Sequence, residues 1–187
     1  MIIPLHKRLR KRAHVELALL QDEVMEILYG IENGLVLHGG TAIWRCYGGN
    51  RFSEDLDFYC QNTEALDKNL KTRIAERGLN ILKYKKTENL VFSKISNGST
   101  ELRVEINFSS GKPHALRPYE KADGAFMDVF SLSEEDLVLE KIDAYNGRRF
   151  IRDIYDIYFL SSRVLESQKV RSAMGAFLSE LAPPVDE

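Results

Sequence analysis

The sequence predicts an α+β fold, a mixed sheet with flanking helices. Three observations support this prediction. A short apolar run over residues 35–37 ends at a Gly-Gly pair and leads into a helical pattern. Alternating, strand-like runs follow between residues 79 and 108. From residue 133 onward the apolar spacing becomes helical. We expect one unit over residues 1–130 and a helical part over 131–187, or a single compact unit.

Composition excludes several classes of protein. The chain has 187 residues, 44% of them hydrophobic and 29% charged, which is typical of a globular protein with a core. Its net charge of −2 provides no overall attraction for nucleic acid, so any such contact needs a local basic patch. No apolar run approaches the roughly 20 residues that span a bilayer, and no apolar signal core follows the basic start. Cys46 and Cys60 match no metal-ligand spacing. We expect free thiols and a cytoplasmic location.

The first part of the chain is predicted to be helical. Apolar residues recur at helical spacing within residues 4–32, and a second helix is predicted over 62–77, where Gly78 ends it. The basic run from Lys7 to Arg12 precedes the first apolar stripe. It has two interpretations, a solvated first turn or a contact with a phosphate backbone, and short charged runs usually have the first meaning.

The most informative stretch is residues 35–59. A buried strand ends at Gly39 and Gly40, and Thr41 is predicted to cap the following helix. After a loop, a second strand carries Asp55 and Asp57. Because strand side chains alternate, both carboxylates point to one face and their apolar neighbours to the other.

This pattern indicates chemistry on phosphates. Two carboxylates on one strand face repel each other, and a divalent cation would offset that repulsion. Oxygen ligands suit Mg2+, which proteins often hold with one or two carboxylates plus substrate phosphates. Backbone N–H groups where a Gly-Gly turn opens a helix bind phosphate. The stretch therefore predicts nucleotidyl or phosphoryl transfer.

Three further strands are predicted, over residues 79–85, 90–96 and 102–108. Asn97-Gly98 joins the last two and is a strong hairpin signal. In the third strand Glu105 lies on the polar face, which by itself is also typical of an edge strand facing solvent. Residues 109–124 are predicted to be a loop containing Gly111, Pro113, Pro118 and Gly124, and 125–130 a short extra strand.

The remaining segments are predicted helices. Ser133 caps the first, and this helix contains Lys141, interpreted either as a snorkelling surface lysine or as a cation for a triphosphate. The second spans residues 150–162 and places Asp153 and Asp156 one turn apart, as in a salt-bridged surface. A last amphipathic helix is predicted over 164–181.

Two segments resemble a known family. Gly39-Gly40-Thr41 followed by Ser53-Glu54-Asp55-Leu56-Asp57 resembles the first motif of the DNA polymerase β-type nucleotidyltransferase superfamily. The amino-acid sequence of residues 35–59 is similar to the corresponding sequence in the AbiEii/AbiGii toxin family, which includes the mycobacterial MenT toxins. The likeness is specific over that stretch and looser out to about residue 160. It implies a polymerase β-type nucleotidyltransferase core within residues 1–130.

The resemblance implies a metal site. Asp55 and Asp57 would hold Mg2+, with Mn2+ as an alternative, and Glu105 would be the third ligand because it occupies the matching place in chain order. Glu101 is the nearest rival, but it starts its strand beside the turn.

It also implies a binding site for an NTP substrate. The backbone at Gly39, Gly40 and Thr41 and the Ser53 hydroxyl would hold the β- and γ-phosphates. Lys141 lies in a segment that is similar to one in the family, Glu140-Lys141-Ile142-Asp143-Ala144. By that resemblance it would bind the triphosphate. Asp153, and with less support Asp156, match an Arg-Asp-x-x-Asp motif that acts in catalysis or holds the site together.

The acceptor implied by the family is RNA, most simply a tRNA 3′ end, with blocked translation as the result and an antitoxin protein as partner. A basic channel would then be needed, for which the candidates are Arg45, Arg51, Arg103, Arg148, Arg149 and Arg152. Alternatives remain open. They are transfer to a small molecule such as an antibiotic, transfer to a partner protein, phosphoryl transfer involving Ser53, and a non-catalytic nucleotide-binding module.

Overall fold

The computed structural model of the chain describes residues 3–109 and 113–185. Within these residues the order of helices and strands follows the prediction, except that one strand was not predicted and the first helical region is divided in two. The boundaries shift by up to four residues. In chain order they are α1 Leu5–Arg8, α2 Arg12–Ile31, β1 Val36–His38, α3 Gly39–Tyr47, β2 Leu56–Cys60, α4 Glu64–Glu76, β3 Asn80–Lys86, β4 Leu90–Ser96, β5 Glu101–Phe108, β6 His114–Glu120, β7 Phe126–Leu132, α5 Glu134–Arg148, α6 Ile151–Ser161 and α7 Gln168–Ser179.

The strands form one seven-stranded mixed sheet in the order β3-β4-β5-β2-β1-β7-β6. Two neighbouring pairs are parallel, β2 with β5 and β1 with β7, while the other pairs are antiparallel. The predicted fold class, a mixed sheet with flanking helices, is confirmed. The parallel pairing of β2 with β5 matters most, because it brings two distant polar segments side by side.

Alternating burial divides the central strands into a core face and a site face. On β2, Leu56 and Phe58 are completely buried, whereas the residues that alternate with them, Asp57 and Tyr59, are only half-buried. On β5, Leu102, Val104 and Ile106 are likewise buried and Glu105 is half-buried. Helices α2 and α4 pack against each other, and α2 also packs on β5. The apolar faces thus build the core and leave the carboxylates on the opposite face.

The C-terminal helices form a packed group. Helix α5 contacts α6, α7 and α3, so the group is joined to the element that follows the Gly-Gly pair. Ser133 caps α5 as predicted, its Oγ accepting a hydrogen bond of 3.2 Å from the Asp136 N–H. The Tyr145 hydroxyl donates to the Ala182 carbonyl at 2.6 Å and ties the tail to α5. A division into units at residues 130 and 131 stays a prediction.

The loop predicted over residues 109–124 is wrong at residues 114–120. Residues 114–120 form β6, which pairs with β7 from His114 opposite Leu132 to Glu120 opposite Phe126. Pro118 is tolerated because β6 is the outermost strand, where a missing N–H does not break the ladder. The short strand predicted over 125–130 is confirmed as β7. Gly111 lies outside the described residues.

The predicted cap at Thr41 is also wrong. Helix α3 begins two residues earlier, at Gly39, and His38 occupies the capping position, where its side chain makes no hydrogen bond to the N–H groups of the helix. Gly39 can enter the helix directly from the strand because its positive φ of 72° is open to glycine.

Both cysteines are free, as predicted. Within residues 3–109 and 113–185, no helix combines the length and the apolar character needed to cross a membrane.

Candidate active site

A cleft of about 840 Å³ opens between the site face of the sheet and helices α3 and α5. This volume lies within the range of roughly 300–1,000 Å³ typical of small-molecule sites. Residues from both motifs and from the C-terminal helices line it together. They are His38, Gly39, Gly40, Arg51, Phe52, Ser53, Glu54, Asp55, Asp57, Tyr59, Arg103, Glu105, Glu140, Lys141, Asp143, Ala144, Arg148 and Arg152.

The Gly-Gly pair permits two close approaches. A Cβ atom on Gly39 would lie 2.6 Å from the Asp57 Oδ2 atom, and one on Gly40 would lie 2.6 Å from the Ser53 Oγ atom. The same Cβ on Gly40 would be 2.8 Å from a guanidinium nitrogen of Arg51. Any larger residue would collide with these polar groups. The pair therefore lets the carboxylate, hydroxyl and guanidinium lie directly against the start of α3.

The start of α3 offers unpaired N–H groups to an anion. The first backbone amides of an α-helix have no intrahelical acceptor, and here they belong to Gly39, Gly40 and Thr41. The Thr41 side chain is already used, because its hydroxyl donates to the Asp55 carbonyl at 2.5 Å. That bond ties α3 to the residue that precedes β2. For Thr41 the geometry thus supports a backbone role in nucleotide binding.

Asp57 and Glu105 are register partners in the parallel pair of β2 and β5. Burial raises the pKa of Asp57, and the negative charges of Asp55 and Glu105 raise it further. Burial also raises the pKa of Asp55, which lies 3.7 Å from the Arg103 Nε atom. Glu101, by contrast, is opposite Ser96 and pairs with Lys94 at the far end of β5. The three carboxylates proposed as ligands are therefore crowded together, while Glu101 is not.

The fit of this site to a divalent metal rests on that crowding. Carboxylate oxygens are the donors that Mg2+ prefers. Burial is the main cause of the raised pKa values of Asp55 and Asp57, and a cation would relieve the mutual repulsion that adds to it. Among the residues that the structure describes, no three acidic, histidine or cysteine side chains are oriented to hold one ion together. Asp55, Asp57 and Glu105 are thus grouped on one face without yet converging on a common point.

Lys141 belongs to a row of alternating charges. Its Nζ atom lies 2.7 Å from Asp156 Oδ2 and 3.3 Å from Asp153 Oδ1. Arg51 holds Asp156 with two bonds of 3.1 and 2.7 Å, and Arg148 holds Asp153 with two bonds of 2.8 Å. Lys141 is only 6% exposed, so the snorkelling interpretation does not describe it. The row contains three cations and two anions, and all three cations line the cleft.

Asp153 is completely buried and contacts the cations that line the cleft. Burial alone would raise its pKa, but Arg148 and Lys141 outweigh that effect and hold the pKa below its usual range. Asp156 is likewise buried and forms ion pairs with two cations, Arg51 and Lys141. Of the two roles implied by the resemblance, these contacts favour holding the site together for both aspartates.

A second polar cluster was not identified from the sequence. The His38 ring stacks on Tyr59 with centroids 4.0 Å apart, and both side chains bond to Glu140, at 3.2 Å from His38 Nδ1 and at 2.6 Å from the Tyr59 hydroxyl. The cluster joins β1, β2 and α5 beside Asp57, which is opposite His38. Its one sequence signal is alternation, which places Tyr59 on the same strand face as Asp57.

Gln21 is a supporting residue that no sequence pattern indicates. It is completely buried on α2, and its side-chain amide donates to the Ser53 carbonyl at 2.9 Å and to the Glu54 carbonyl at 3.2 Å. These bonds fix the turn that leads into Asp55. A glutamine within an amphipathic helix gives no hint of such a distant contact.

The predicted basic channel is formed only in part. Arg51, Arg103, Arg148 and Arg152 line the cleft. Arg45 is buried elsewhere, where its guanidinium bonds to Asp22 Oδ1 at 2.8 Å and to the Ala18 carbonyl at 3.0 Å. Arg149 is exposed at the turn between α5 and α6.

Comparisons with known proteins agree with this geometry. The family model "Nucleotidyl transferase AbiEii toxin, Type IV TA system" matches residues 26–182. A comparison with curated proteins gave no match.

Three solved structures share the fold. JHP933 from Helicobacter pylori is 23% identical with a TM-score of 0.64, over 88% of this chain and 75% of that one. The nucleotidyltransferase toxin MenT4 from Mycobacterium tuberculosis is 20% identical with a TM-score of 0.63, over 92% and 68%. ANT(2″)-Ia, in complex with adenylyl-2″-tobramycin, is 16% identical with a TM-score of 0.57, over 89% and 99%. The chain is a nucleotidyltransferase and belongs to the AbiEii toxin family.

Proposed function

We propose that this protein transfers a nucleoside monophosphate from an NTP to an RNA acceptor, the 3′ end of a tRNA, in a reaction that depends on Mg2+. The observation that carries the proposal is the pairing of Asp57 with Glu105 beside the start of α3, in a cleft with arginines on its walls. Carboxylates, free helix amides and cations are the parts that phosphoryl and nucleotidyl transfer require.

Asp55, Asp57 and Glu105 are the residues that would hold the metal. A bound divalent ion neutralises phosphate charge and lowers the pKa of an attacking hydroxyl. Binding requires the three side chains to converge; Asp57 and Glu105 lie on neighbouring strands held in register by the sheet, and Asp55 immediately precedes the first of them.

The start of α3 would bind the triphosphate. The amides of Gly39, Gly40 and Thr41, with the Ser53 hydroxyl beside Gly40, present donors to the β- and γ-phosphate oxygens. The acceptor 3′ oxygen then forms a bond to the α-phosphorus. The bond between that phosphorus and the bridging oxygen breaks, and pyrophosphate leaves with the electron pair. The hydroxyl proton passes to solvent.

Lys141 and its arginine neighbours would offset the charge that develops on pyrophosphate. Asp153 and Asp156 fix the positions of these cations before substrate arrives, so little reorganisation is needed during the reaction. Because the row has one more cation than anions, it retains a net positive charge for the leaving group.

The family assignment supports two further parts of the proposal. The family is described as the toxin of a type IV toxin-antitoxin system, and we infer that this chain acts on translation and has a cognate antitoxin protein. The arginines on the cleft walls outside the row of charges around Lys141, Arg103 and Arg152, suit an acceptor with a phosphate backbone.

The test is a labelling reaction. The purified protein is incubated with Mg2+, total tRNA and each of the four α-labelled NTPs in turn, and an Asp57→Ala variant with unchanged thermal stability serves as the control. We expect label on tRNA with one preferred NTP and none with the variant. Label on the protein alone would show that the acceptor is a protein and not an RNA. The absence of label from every macromolecule would overturn the RNA proposal.

A small-molecule acceptor is the second candidate. Glu54, Glu140 and Asp143 line the cleft in addition to the proposed metal ligands, and such carboxylates suit a cationic acceptor. ANT(2″)-Ia, solved with adenylyl-2″-tobramycin, shares the fold. The same reaction with an aminoglycoside in place of tRNA discriminates the two, because label would then move into a small product.

A further inference from the structure

The chain begins with a dense group of cations that the proposed active site does not use. Five of the six residues from Lys7 to Arg12 are lysine or arginine, and we call this stretch the N-terminal basic segment. All five cationic side chains are exposed. The segment precedes residue 26, where the match to the family begins. Its role therefore has to be inferred from what it touches in this chain.

The segment is attached to the fold rather than frayed. Just before it, Leu5 is buried against Trp44 and Ala122. The His6 N–H donates to the Ala122 carbonyl at 2.9 Å, and the His6 Nδ1 atom bonds to the same oxygen at 2.7 Å. Within the segment, Leu9 packs on the same cluster. The backbone at its cationic residues is consequently held at defined places on the surface.

Those places adjoin the mouth of the cleft. His14, in the first turn of α2, stacks its ring on Phe52 with centroids 3.9 Å apart and planes 9° from parallel. Phe52 lines the cleft and also packs on Trp44, at 4.7 Å between ring centroids. The basic segment, the His14–Phe52 stack and the cleft wall are thus continuous. Arg51, which precedes Phe52 in the sequence, also lines the cleft.

Part of this charge is not neutralised. Arg8 pairs with Glu120 and Arg12 with Glu16. Over residues 3–109 and 113–185, Lys7, Arg10 and Lys11 form no ion pair. In a protein of net charge −2, three such cations beside an aromatic stack form a local site for a polyanion.

We propose that the N-terminal basic segment, with the His14–Phe52 stack, binds the phosphate backbone of the RNA acceptor as the strand leaves the cleft. The acceptor in this proposal rests on the proposed function. A nucleotide fills the cleft itself, whereas an RNA whose 3′ end reaches Asp57 must continue across the rim. The unpaired cations of the segment can bind backbone phosphates, and the half-buried His14–Phe52 stack borders the cleft.

The test compares two charge-reversal variants of the full chain. The first is Lys7→Glu/Arg10→Glu/Lys11→Glu. The control is Lys71→Glu/Lys83→Glu/Lys85→Glu. It changes the net charge of the protein by the same amount as the first variant, but its three positions lie on α4 and β3. Strand β3 is at the opposite edge of the sheet from β6, whose end anchors the segment at Ala122. A third variant, Lys7→Gln/Arg10→Gln/Lys11→Gln, removes the charges without reversing them.

Two binding constants are measured for each variant by fluorescence anisotropy, for labelled total tRNA over a series of salt concentrations and for a labelled NTP. We expect tRNA affinity at low salt to fall at least tenfold in the Glu variant. The slope of log K against log[salt] should become shallower by about 2 in the Gln variant, since each phosphate contact contributes roughly 0.7–0.9. NTP affinity should stay within twofold. The control should retain the wild-type slope.

Three outcomes would overturn the inference. A wild-type slope in the Glu and Gln variants would show that the segment does not contact the backbone. Equal losses in the first variant and in the control would reveal only a net-charge effect. If the wild-type protein binds no tRNA at all, the RNA acceptor and the segment's role fail together. The first two outcomes leave the proposed function intact.

Discussion

Asp57 and Glu105 lie opposite each other on the adjacent parallel strands β2 and β5. The chain between them forms α4 and the two antiparallel strands β3 and β4. The pairing therefore depends on how β3, β4 and β5 assemble beside β2. Two half-buried carboxylates in this position repel each other, and burial raises the pKa of Asp57. Such an arrangement is costly without a cation, which is the reason to test both residues as metal ligands.

Glu105→Gln should reduce kcat/KM by about 100-fold or more, because loss of a metal ligand removes several kcal/mol of transition-state stabilisation. The matched control is Glu101→Gln on the same strand, where the carboxylate pairs with Lys94 instead. Steady-state transfer rates of the two variants provide the comparison. Comparable activity in both would remove Glu105 from the ligand set.

Gly39→Ala should abolish activity, whereas Gly48→Ala should not. Both glycines have a positive φ, 72° and 71°, so each substitution costs about 1–2 kcal/mol of backbone strain. Only at Gly39 does the new Cβ meet another group, 2.6 Å from Asp57 Oδ2. Around Gly48 there is nothing within 4 Å. Thermal unfolding and transfer rates should show similar stability losses with very different activities. A Gly48→Ala enzyme as inactive as Gly39→Ala would attribute the effect to strain alone.

Asp153→Asn should destabilise the protein at neutral pH and much less in acid. Burial acts to raise the pKa of Asp153, but Arg148 and Lys141 outweigh it and lower the pKa below its usual value near 3.9. A lowered pKa in the folded state means that the ionised group stabilises the fold above pH ~4, and that this contribution is lost as pH falls through the folded-state pKa.

The measurement is the Tm difference between wild type and Asp153→Asn from pH 7 to pH 3. It should be several degrees at pH 7 and shrink below pH ~4. Asp143→Asn on α5 provides the control, because Asp143 is an exposed carboxylate in the same region. A Tm difference for Asp153→Asn that is constant with pH would mean that packing, not charge, explains its effect.

Much of the fold could be predicted from local sequence. The strand, Gly-Gly pair and helix at residues 36–47 have strong period and turn signals, and Asn97-Gly98 correctly predicted the hairpin of β4 and β5. Strand β6 was missed because Pro118 usually indicates a loop, and only its outer position in the sheet makes it acceptable. The periodicity of apolar residues can be seen in the local sequence, whereas the choice of which strands pair depends on the packing of the whole sheet.

The site was predictable where residues are adjacent in sequence and not where they meet through packing. Asp57 lies on β2 and Asp55 immediately precedes that strand, so the two-residue spacing alone predicted that they lie close together. The alignment of Glu105 with Asp57 came from resemblance, since no local pattern predicts which parallel strands become neighbours. Arg45 was expected in the channel but is buried against Asp22, an aspartate on a different helix.

Gln21→Met should weaken the site from a distance. The substitution removes the bonds to the Ser53 and Glu54 carbonyls, 2.9 and 3.2 Å long, at a cost of roughly 1–3 kcal/mol. With that turn loosened, Asp55 is less well positioned, so we expect the Mg2+ concentration for half-maximal activity to rise several-fold and amide hydrogen exchange at residues 53–57 to speed up.

The control for Gln21 is Asp22→Asn. Asp22 belongs to the same buried region but bonds to Arg45, Tyr119 and the Ala122 N–H rather than to the turn before Asp55. It should therefore lower Tm to a similar degree while leaving the Mg2+ requirement unchanged. If both variants shifted the Mg2+ requirement in proportion to their Tm loss, general loosening of the core would explain the result. A shift confined to Gln21→Met would identify this glutamine as a positioning residue, because the two variants differ in which backbone they release.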